Sequence, residues 1–142
     1  MIFEGMSRDQ LREMYRAAWR RFKTQQTLSP LDQQVVAVIS EHPEYRVIVE
    51  SSAADLANYS PRGGQLNPWL HMGLHLAIRE QVATDRPAGI AEVHARLARR
   101  SGGPHEAEHR MLEVLAEALW KAQRAATPPD DSAYLERLRT LS

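Results

Sequence analysis

The stretch from Asn67 to Thr84 constrains the fold more than any other part of the sequence. Asn67 is a favourable N-cap residue and Pro68 suits the first helical turn, so a helix is predicted to begin here. The apolar residues that follow do not keep to one stripe. They fall on one side at Leu70, Leu74, Ala77 and Ile78, and on the other side at Trp69, Met72 and Leu76. A helix that is apolar nearly all round is usually buried, so this one is predicted to be the central helix of the fold.

Length and composition narrow the class of protein. The chain has 142 residues, which is typical of one domain, and we predict a single all-helical domain over residues 1–142. Its 18 basic and 18 acidic residues give a net charge of +0, which makes nucleic acid an unlikely partner. The absence of cysteine excludes thiolate metal sites and a cysteine nucleophile. The N-terminus does not resemble a signal peptide and no long apolar stretch could span a membrane, so we expect a soluble, cytoplasmic protein.

Start and stop signals divide the rest of the chain into helices. Ser7 and Gln10 form a capping-box pattern for a first helix that should end near Gln25. Ser29-Pro30 opens a second helix, which should end near Glu41 because a residue that precedes proline disfavours the helical conformation. His42, which precedes Pro43, is then expected at the surface or as a C-terminal cap.

The later elements follow from the same kinds of signal. The run 45–49 is rich in β-branched residues, but no second strand-like run exists to pair with it, so it is predicted to be helical. The remaining elements are predicted as a short helix over 52–59, a loop over 60–66, helices over 89–100, 104–126 and 132–141, and breaks at 101–103 and 127–131. The sequence therefore predicts an all-α bundle of about six to seven helices around a buried central helix.

A row of arginines marks one side of the first predicted helix, at Arg8, Arg12, Arg16 and Arg20. Such a row is compatible with phosphate contacts to RNA, with Trp19 beside it. Because Asp9 and Glu13 partly offset its charge and the whole chain is neutral, we favour a solvated helix face.

Two pairs of histidines carry the main indication of chemistry. His71 and His75 lie four residues apart on the central helix, and therefore on one face. His105 and His109 have the same spacing at the start of the longest helix, and Glu108 falls within that helix's apolar stripe. A buried carboxylate requires a partner, and two imidazoles sharing a cation with it would supply one.

Chain direction brings the two pairs together in this prediction. Short connections favour antiparallel neighbours, so the central and the longest helix should run parallel and place both pairs at one end of the bundle. The predicted metal ligands are His71, His75, His105, Glu108 and His109. Imidazole and carboxylate ligands suit zinc, iron, nickel or manganese and do not choose among these divalent metals.

Several alternatives remain open at this stage. If the site is catalytic, Glu108 would act as a ligand or as the general base. Alternatively, the histidines are interior or edge residues hydrogen-bonded to glutamates and backbone. His94, in the middle of the intervening helix, is expected to take no part. Near the two Gly-Gly loops, Arg62, Arg99 and Arg100 are candidates for contacting a small anionic ligand.

Three segments resemble a known bacterial family: the stretch from Asn67 to His75, the turn Asp85-Arg86-Pro87-Ala88-Gly89-Ile90, and the segment from His105 through Leu119-Trp120. The family is called domain of unknown function 1841, and the resemblance covers nearly the whole chain. It implies a small soluble bacterial protein and assigns no activity, cofactor or catalytic residue.

The first functional hypothesis is therefore a helical metal-binding protein, or a metalloenzyme if the metal keeps an open position for water. The rival hypothesis is a non-catalytic module whose helix grooves dock another protein. An RNA-associated protein that uses the arginine row is a third and weaker hypothesis. Oligomeric state and substrate are not indicated by any motif in the sequence.

Overall fold

A computed structural model of the chain describes residues 7–50 and 68–142. These two ranges contain seven α-helices and no β-strand, which confirms the predicted all-α class. The helices, in chain order, are α1 (Arg8–Lys23), α2 (Pro30–Glu41), α3 (Pro43–Glu50), α4 (Pro68–Thr84), α5 (Ile90–Ser101), α6 (Pro104–Ala125) and α7 (Asp131–Leu141). The predicted helix over 52–59, the predicted loop over 60–66 and the predicted N-cap at Asn67 lie outside the described residues.

The helices begin where the sequence signals place them. The Ser7 hydroxyl accepts a hydrogen bond from the backbone N–H of Gln10, and the side-chain oxygen of Gln10 accepts one from the backbone N–H of Ser7. Ser29 and Asp32 form the same reciprocal box at the start of α2. These bonds satisfy amide groups that a helix leaves without partners in its first turn. The β-branched run 45–49 lies within α3, so its helical prediction is confirmed.

The chain divides into two compact units, Met1–Leu76 and Ala77–Ser142, and the boundary falls within α4. In the first unit, α1, α2 and α3 pack against one another. Their core consists of apolar and aromatic side chains, with the first turns of α4 contributing Trp69, Met72 and Leu76 to Tyr15, Ala18, Trp19, Val35, Val36, Val38, Ile39, Tyr45 and Val49. The prediction of a single domain stays a prediction.

In the second unit, α5 packs along α6, and α7 contacts both of them. The buried residues follow the predicted stripes of α5 and α6. They include Ile90, Val93, Leu97, Met111, Leu112 and Leu115. The Tyr134 hydroxyl of α7 donates a 2.7 Å hydrogen bond to the side chain of Gln81 on α4. This bond connects the last helix of the unit to the helix with which the unit begins.

Helix α4 is buried on most sides, as its composition predicts. Residues on both of the predicted apolar faces are buried: Trp69, Met72, Leu74, Leu76, Ala77 and Ile78. Leu70 differs, since 51% of its surface is exposed. The helix is therefore most deeply buried in its middle, over residues 74–78, and becomes more exposed toward Thr84.

The turn between α4 and α5 is held by one side chain. Asp85 has a positive φ of 50°, a conformation that ends α4 and that few residues other than glycine, Asn and Asp adopt readily. Its carboxylate accepts hydrogen bonds from the backbone N–H groups of Gly89 and Ala91, at 3.0 and 3.1 Å. Asp85 thus caps the N-terminus of α5, where Gly89 itself has no side chain to do so.

Among the helices of the described ranges, none combines the length and the apolar character needed to cross a bilayer.

Candidate metal centre

The first predicted histidine pair is brought together in the first unit. The rings of His71 and His75, one turn apart on α4, have centroids 4.8 Å apart and planes inclined by 29°. His75 is fully buried, whereas His71 keeps part of its surface exposed. The spacing of four residues therefore places two imidazoles side by side, with one of them inside the core.

His42 joins this pair, although it was not among the metal ligands predicted from the sequence. Its ring centroid lies 4.4 Å from that of His75 and 6.0 Å from that of His71. The predicted C-cap position is confirmed, because His42 caps α2, but the surface position is wrong, because only 4% of the residue is exposed. The physical reason is that His42 continues the buried stripe of Val35, Val38 and Ile39 by one further turn.

A backbone carbonyl selects the tautomer of the neutral His42 ring. Its Nδ1 lies 2.7 Å from the carbonyl oxygen of Val38. Because a carbonyl oxygen can only accept, Nδ1 carries the proton in the neutral ring, and the lone pair is then on Nε2. Histidines that bind metals commonly use one nitrogen in this way, with the other ring N–H donated to a carbonyl or carboxylate.

Tyr45 forms an aromatic wall beside the three histidines, which we call the histidine cluster (His42, His71 and His75). Its ring stacks on His42 with centroids 4.6 Å apart and meets the edge of His71 at 5.6 Å. Burial raises the pKa of the Tyr45 phenol above its ordinary value, and the nearby charge of Glu44 raises it further. The phenol is therefore neutral at physiological pH and adds no anionic charge to the cluster.

The cluster has dimensions that a transition metal could use. One ring nitrogen of His42 lies within 4.8 Å of a ring nitrogen of His75. Metal–nitrogen bonds of 2.0–2.1 Å in tetrahedral geometry require ligand nitrogens about 3.3 Å apart. A metal bound by both rings would require their nitrogens to lie at about that distance from each other.

The second predicted pair lies in the second unit. The rings of His105 and His109 have centroids 4.4 Å apart and are nearly perpendicular, at 89°. Glu108 between them is buried, as predicted, with 6% of the residue exposed. Its carboxylate accepts hydrogen bonds from Nε of Arg79, which lies 3.1 Å from each of the two oxygens.

Arg79 therefore supplies the partner that the burial of Glu108 requires. The partner predicted from the sequence was a cation shared with the two histidines, and the arginine of α4 takes that place instead. A signal was available: Arg79 follows His75 by four positions and therefore lies on the same side of the helix. An inward-facing arginine and an inward-facing glutamate are natural partners for each other.

The other predicted residues occupy the outside of the second unit. Arg99 and Arg100 at the end of α5 are exposed, and His94 in the middle of that helix is partly exposed. Arg62 lies outside the described residues. An anionic ligand near these arginines, and the exclusion of His94 from any site, both stay predictions.

These observations define a class: an all-α protein with a buried cluster of histidines beside a tyrosine. The family model described as Domain of unknown function (DUF1841) matches residues 7–140, and the chain belongs to that family. The resemblance seen in the sequence is thus confirmed over nearly the whole chain. No curated protein and no solved structure matches the chain.

Proposed function

We propose that the protein binds a divalent transition metal through the histidine cluster of the first unit. The observation that carries the proposal is the buried contact of His42 and His75, with Nδ1 of His42 engaged by the Val38 carbonyl. A neutral imidazole with its proton on Nδ1 carries its lone pair on Nε2, which is the atom that would bind the metal. His71 is the third donor of the site, and solvent or a further side chain would complete the coordination.

The donor set narrows the choice of metal. The three imidazoles of the cluster provide nitrogen ligands, the Tyr45 phenol beside them is neutral, and no carboxylate of the described part of the first unit joins the group. Imidazole suits zinc, iron and nickel, whereas manganese is better served by carboxylate and water. Of the four metals predicted from the sequence, zinc, iron and nickel are therefore the expected ones.

The predicted contribution of His105, Glu108 and His109 to the same site remains a proposal that comes from the sequence. The Arg79 ion pair bears on it, because a carboxylate that accepts two hydrogen bonds from a guanidinium gives up that contact if it turns to a metal or to a reacting group. A catalytic role of Glu108, as a ligand or a general base, depends on such a change. The cytoplasmic location is likewise a proposal from the sequence.

The test is thermal unfolding of metal-free protein with and without added zinc, iron, nickel or manganese. A metal that binds only the folded state at about 100 times its Kd stabilises it by about 2.7 kcal/mol. H42A and H75A should each remove most of the gain in Tm, measured against the metal-free form of the same variant. The double variant should lose little more, because ligands of one site are not additive. The gain should fade between pH 7.5 and pH 5, as protons compete for the imidazoles.

H94A is the matched control, since His94 is a partly exposed histidine on a helix of the other unit. It should keep the full gain. If no metal raises the Tm, or if H94A reduces the gain as much as H75A does, the proposed site does not exist. H105A and H109A decide the wider proposal: if both keep the gain that H42A removes, the metal is held by the first unit alone.

The rival function, docking of another protein, is supported by a different feature. In the second unit, a groove of about 410 Å³ lies between α6 and α7. Its lining includes Val114, Ala118, Ala122 and Tyr134, with Lys121 and Arg137 among its charged members. Metal analysis of protein purified without an affinity tag separates the two functions, because docking predicts no bound metal.

A further inference from the structure

Two arginines of α1 converge on one buried tryptophan. The guanidinium carbons of Arg12 and Arg16 lie 5.7 and 5.4 Å from the ring centroid of Trp69. Tyr15, which falls between them in the sequence, stacks on the same indole with centroids 5.7 Å apart and planes inclined by 17°. Trp69 is 4% exposed, whereas both arginines keep part of their surface exposed. The solvated face predicted for the arginine row therefore holds for Arg20 but is wrong for Arg12 and Arg16.

Three nitrogen atoms of these guanidinium groups have no acceptor among the described residues. Nε of Arg12 and both Nε and Nη2 of Arg16 are buried, and nothing in residues 7–50 and 68–142 accepts a hydrogen bond from them. Carboxylates elsewhere in the first unit bind other cations: Glu13 binds Arg20, Asp32 binds Arg21 and Glu50 binds Lys23. Arg12 and Arg16 thus form a local concentration of positive charge that these carboxylates do not neutralise.

The guanidinium groups of Arg12 and Arg16 require a hydrogen-bond acceptor that carries negative charge. Arginine does not lose its proton in proteins, and a buried donor without an acceptor costs free energy. Two guanidinium groups beside one ring also repel each other. The Nε and Nη2 hydrogens of arginine point in parallel from one edge of the group and match two oxygens of a carboxylate or a phosphate. The indole holds the planar groups by cation–π attraction, so their orientation is set before a ligand arrives.

We propose that Arg12, Arg16 and Trp69 form a binding site for the oxyanion group, phosphate or carboxylate, of a small molecule. The Nε–Nη2 edge of Arg16 takes two of its oxygens, and Arg12 supplies a second charge. This site is independent of the histidine cluster and of any metal. A small ligand fits better than RNA, because Arg20, an exposed arginine of the same row, is already paired with Glu13 and the chain is neutral.

The experiment uses the full chain and the NMR signals of arginine Nε–H groups. Sodium phosphate and sodium acetate are titrated separately, at an ionic strength kept constant with sodium chloride. The signals of Arg12 and Arg16 should shift and saturate, while that of Arg20 stays in place. The anion that saturates at the lower concentration identifies the preferred group, and either preference supports the site. If neither anion shifts the two signals, the proposal is overturned.

Variants test the role of the bidentate edge. R16Q should weaken the binding at least about tenfold, as expected for the loss of a charge-assisted hydrogen-bonded contact. R16K keeps the positive charge but lacks the two parallel N–H groups, so its affinity should lie between those of R16Q and the wild type. R20Q, the control on the same helix, should bind as the wild type does. Equal weakening by R16Q and R20Q would show a general effect of charge and overturn the proposal.

Two further measurements deal with an R16Q variant that does not fold and with RNA as the alternative ligand. If R16Q does not fold, the shifts of the wild-type signals decide the question, because they need no variant. A single-stranded RNA oligonucleotide is titrated in parallel. The RNA should not saturate the shifts at a far lower concentration, counted per phosphate group, than inorganic phosphate does. If it does so, and if R20Q weakens RNA binding as much as R16Q does, the surface binds RNA and the small-ligand proposal is wrong.

Discussion

Replacing Arg79 by Met removes the cation that faces the Glu108 carboxylate while it keeps much of the side chain's apolar length. The Arg79 side chain is 20% exposed and that of Glu108 is 8% exposed, so the carboxylate would be left largely without water. Removal of one partner of a buried pair costs about 3–5 kcal/mol. Because Arg79 retains some contact with solvent, we expect the lower end, about 3 kcal/mol. This is a large part of the 5–15 kcal/mol that is typical of a whole domain.

The assay is urea denaturation at neutral pH, followed by circular dichroism. R79M, E108Q and the double variant form a cycle, and the coupling free energy of the pair should be about 1–3 kcal/mol. R96M is the matched control, since Arg96 binds Glu92 in an exposed pair with side chains 50% and 68% exposed. It should cost no more than about 0.5 kcal/mol. If R79M costs as little as R96M, or if the two single losses simply add, the pair does not contribute as argued.

Two other predictions concern stability in the first unit. Leu74 is 3% exposed, so L74A should lower the free energy of unfolding by about 2–5 kcal/mol in a urea titration; a loss below about 0.5 kcal/mol would contradict its burial. The hydrogen bond from Lys23 lowers the pKa of Glu50, and the hydrogen bond from Trp19 lowers it further. A carboxyl group with a lowered pKa stabilises the fold above its ordinary pKa and loses that effect as the pH falls through its folded value. E50Q should therefore reduce the Tm at pH 7 and differ little from the wild type in acid below that value; an equal difference at both pH values would contradict this assignment.

The helix boundaries could be predicted because local signals fix them. Ser7 and Ser29 form capping boxes with residues three positions later, and each box depends only on its own turn. Pro43 and Pro104 begin helices for an equally local reason, because proline has no amide hydrogen to leave without a partner. The burial of Glu108 could also be predicted, since it follows from the position of that residue on a helical stripe.

The side-chain partners could not be predicted to the same extent, because they join residues distant in the sequence. The spacing of the apolar residues in α2 places His42 on the buried stripe. The proline after His42 ends the helix there, and for that reason a surface position was also expected. The contacts of Arg12 and Arg16 with Trp69 span more than 50 positions, and no local pattern indicates which aromatic ring a helical arginine will meet. For these residues the tertiary packing decides between solvent and a partner.

The turn at Asp85 sets a limit on how the chain can vary. The residue at this position must adopt a positive φ and must also offer an oxygen to the two amide groups that begin α5. Glycine meets the first demand and not the second; Ser and Thr meet the second and not the first. Asp and Asn alone meet both. Within the family, exchange at this position should therefore be confined to these two residues, even though Asp85 is exposed to solvent.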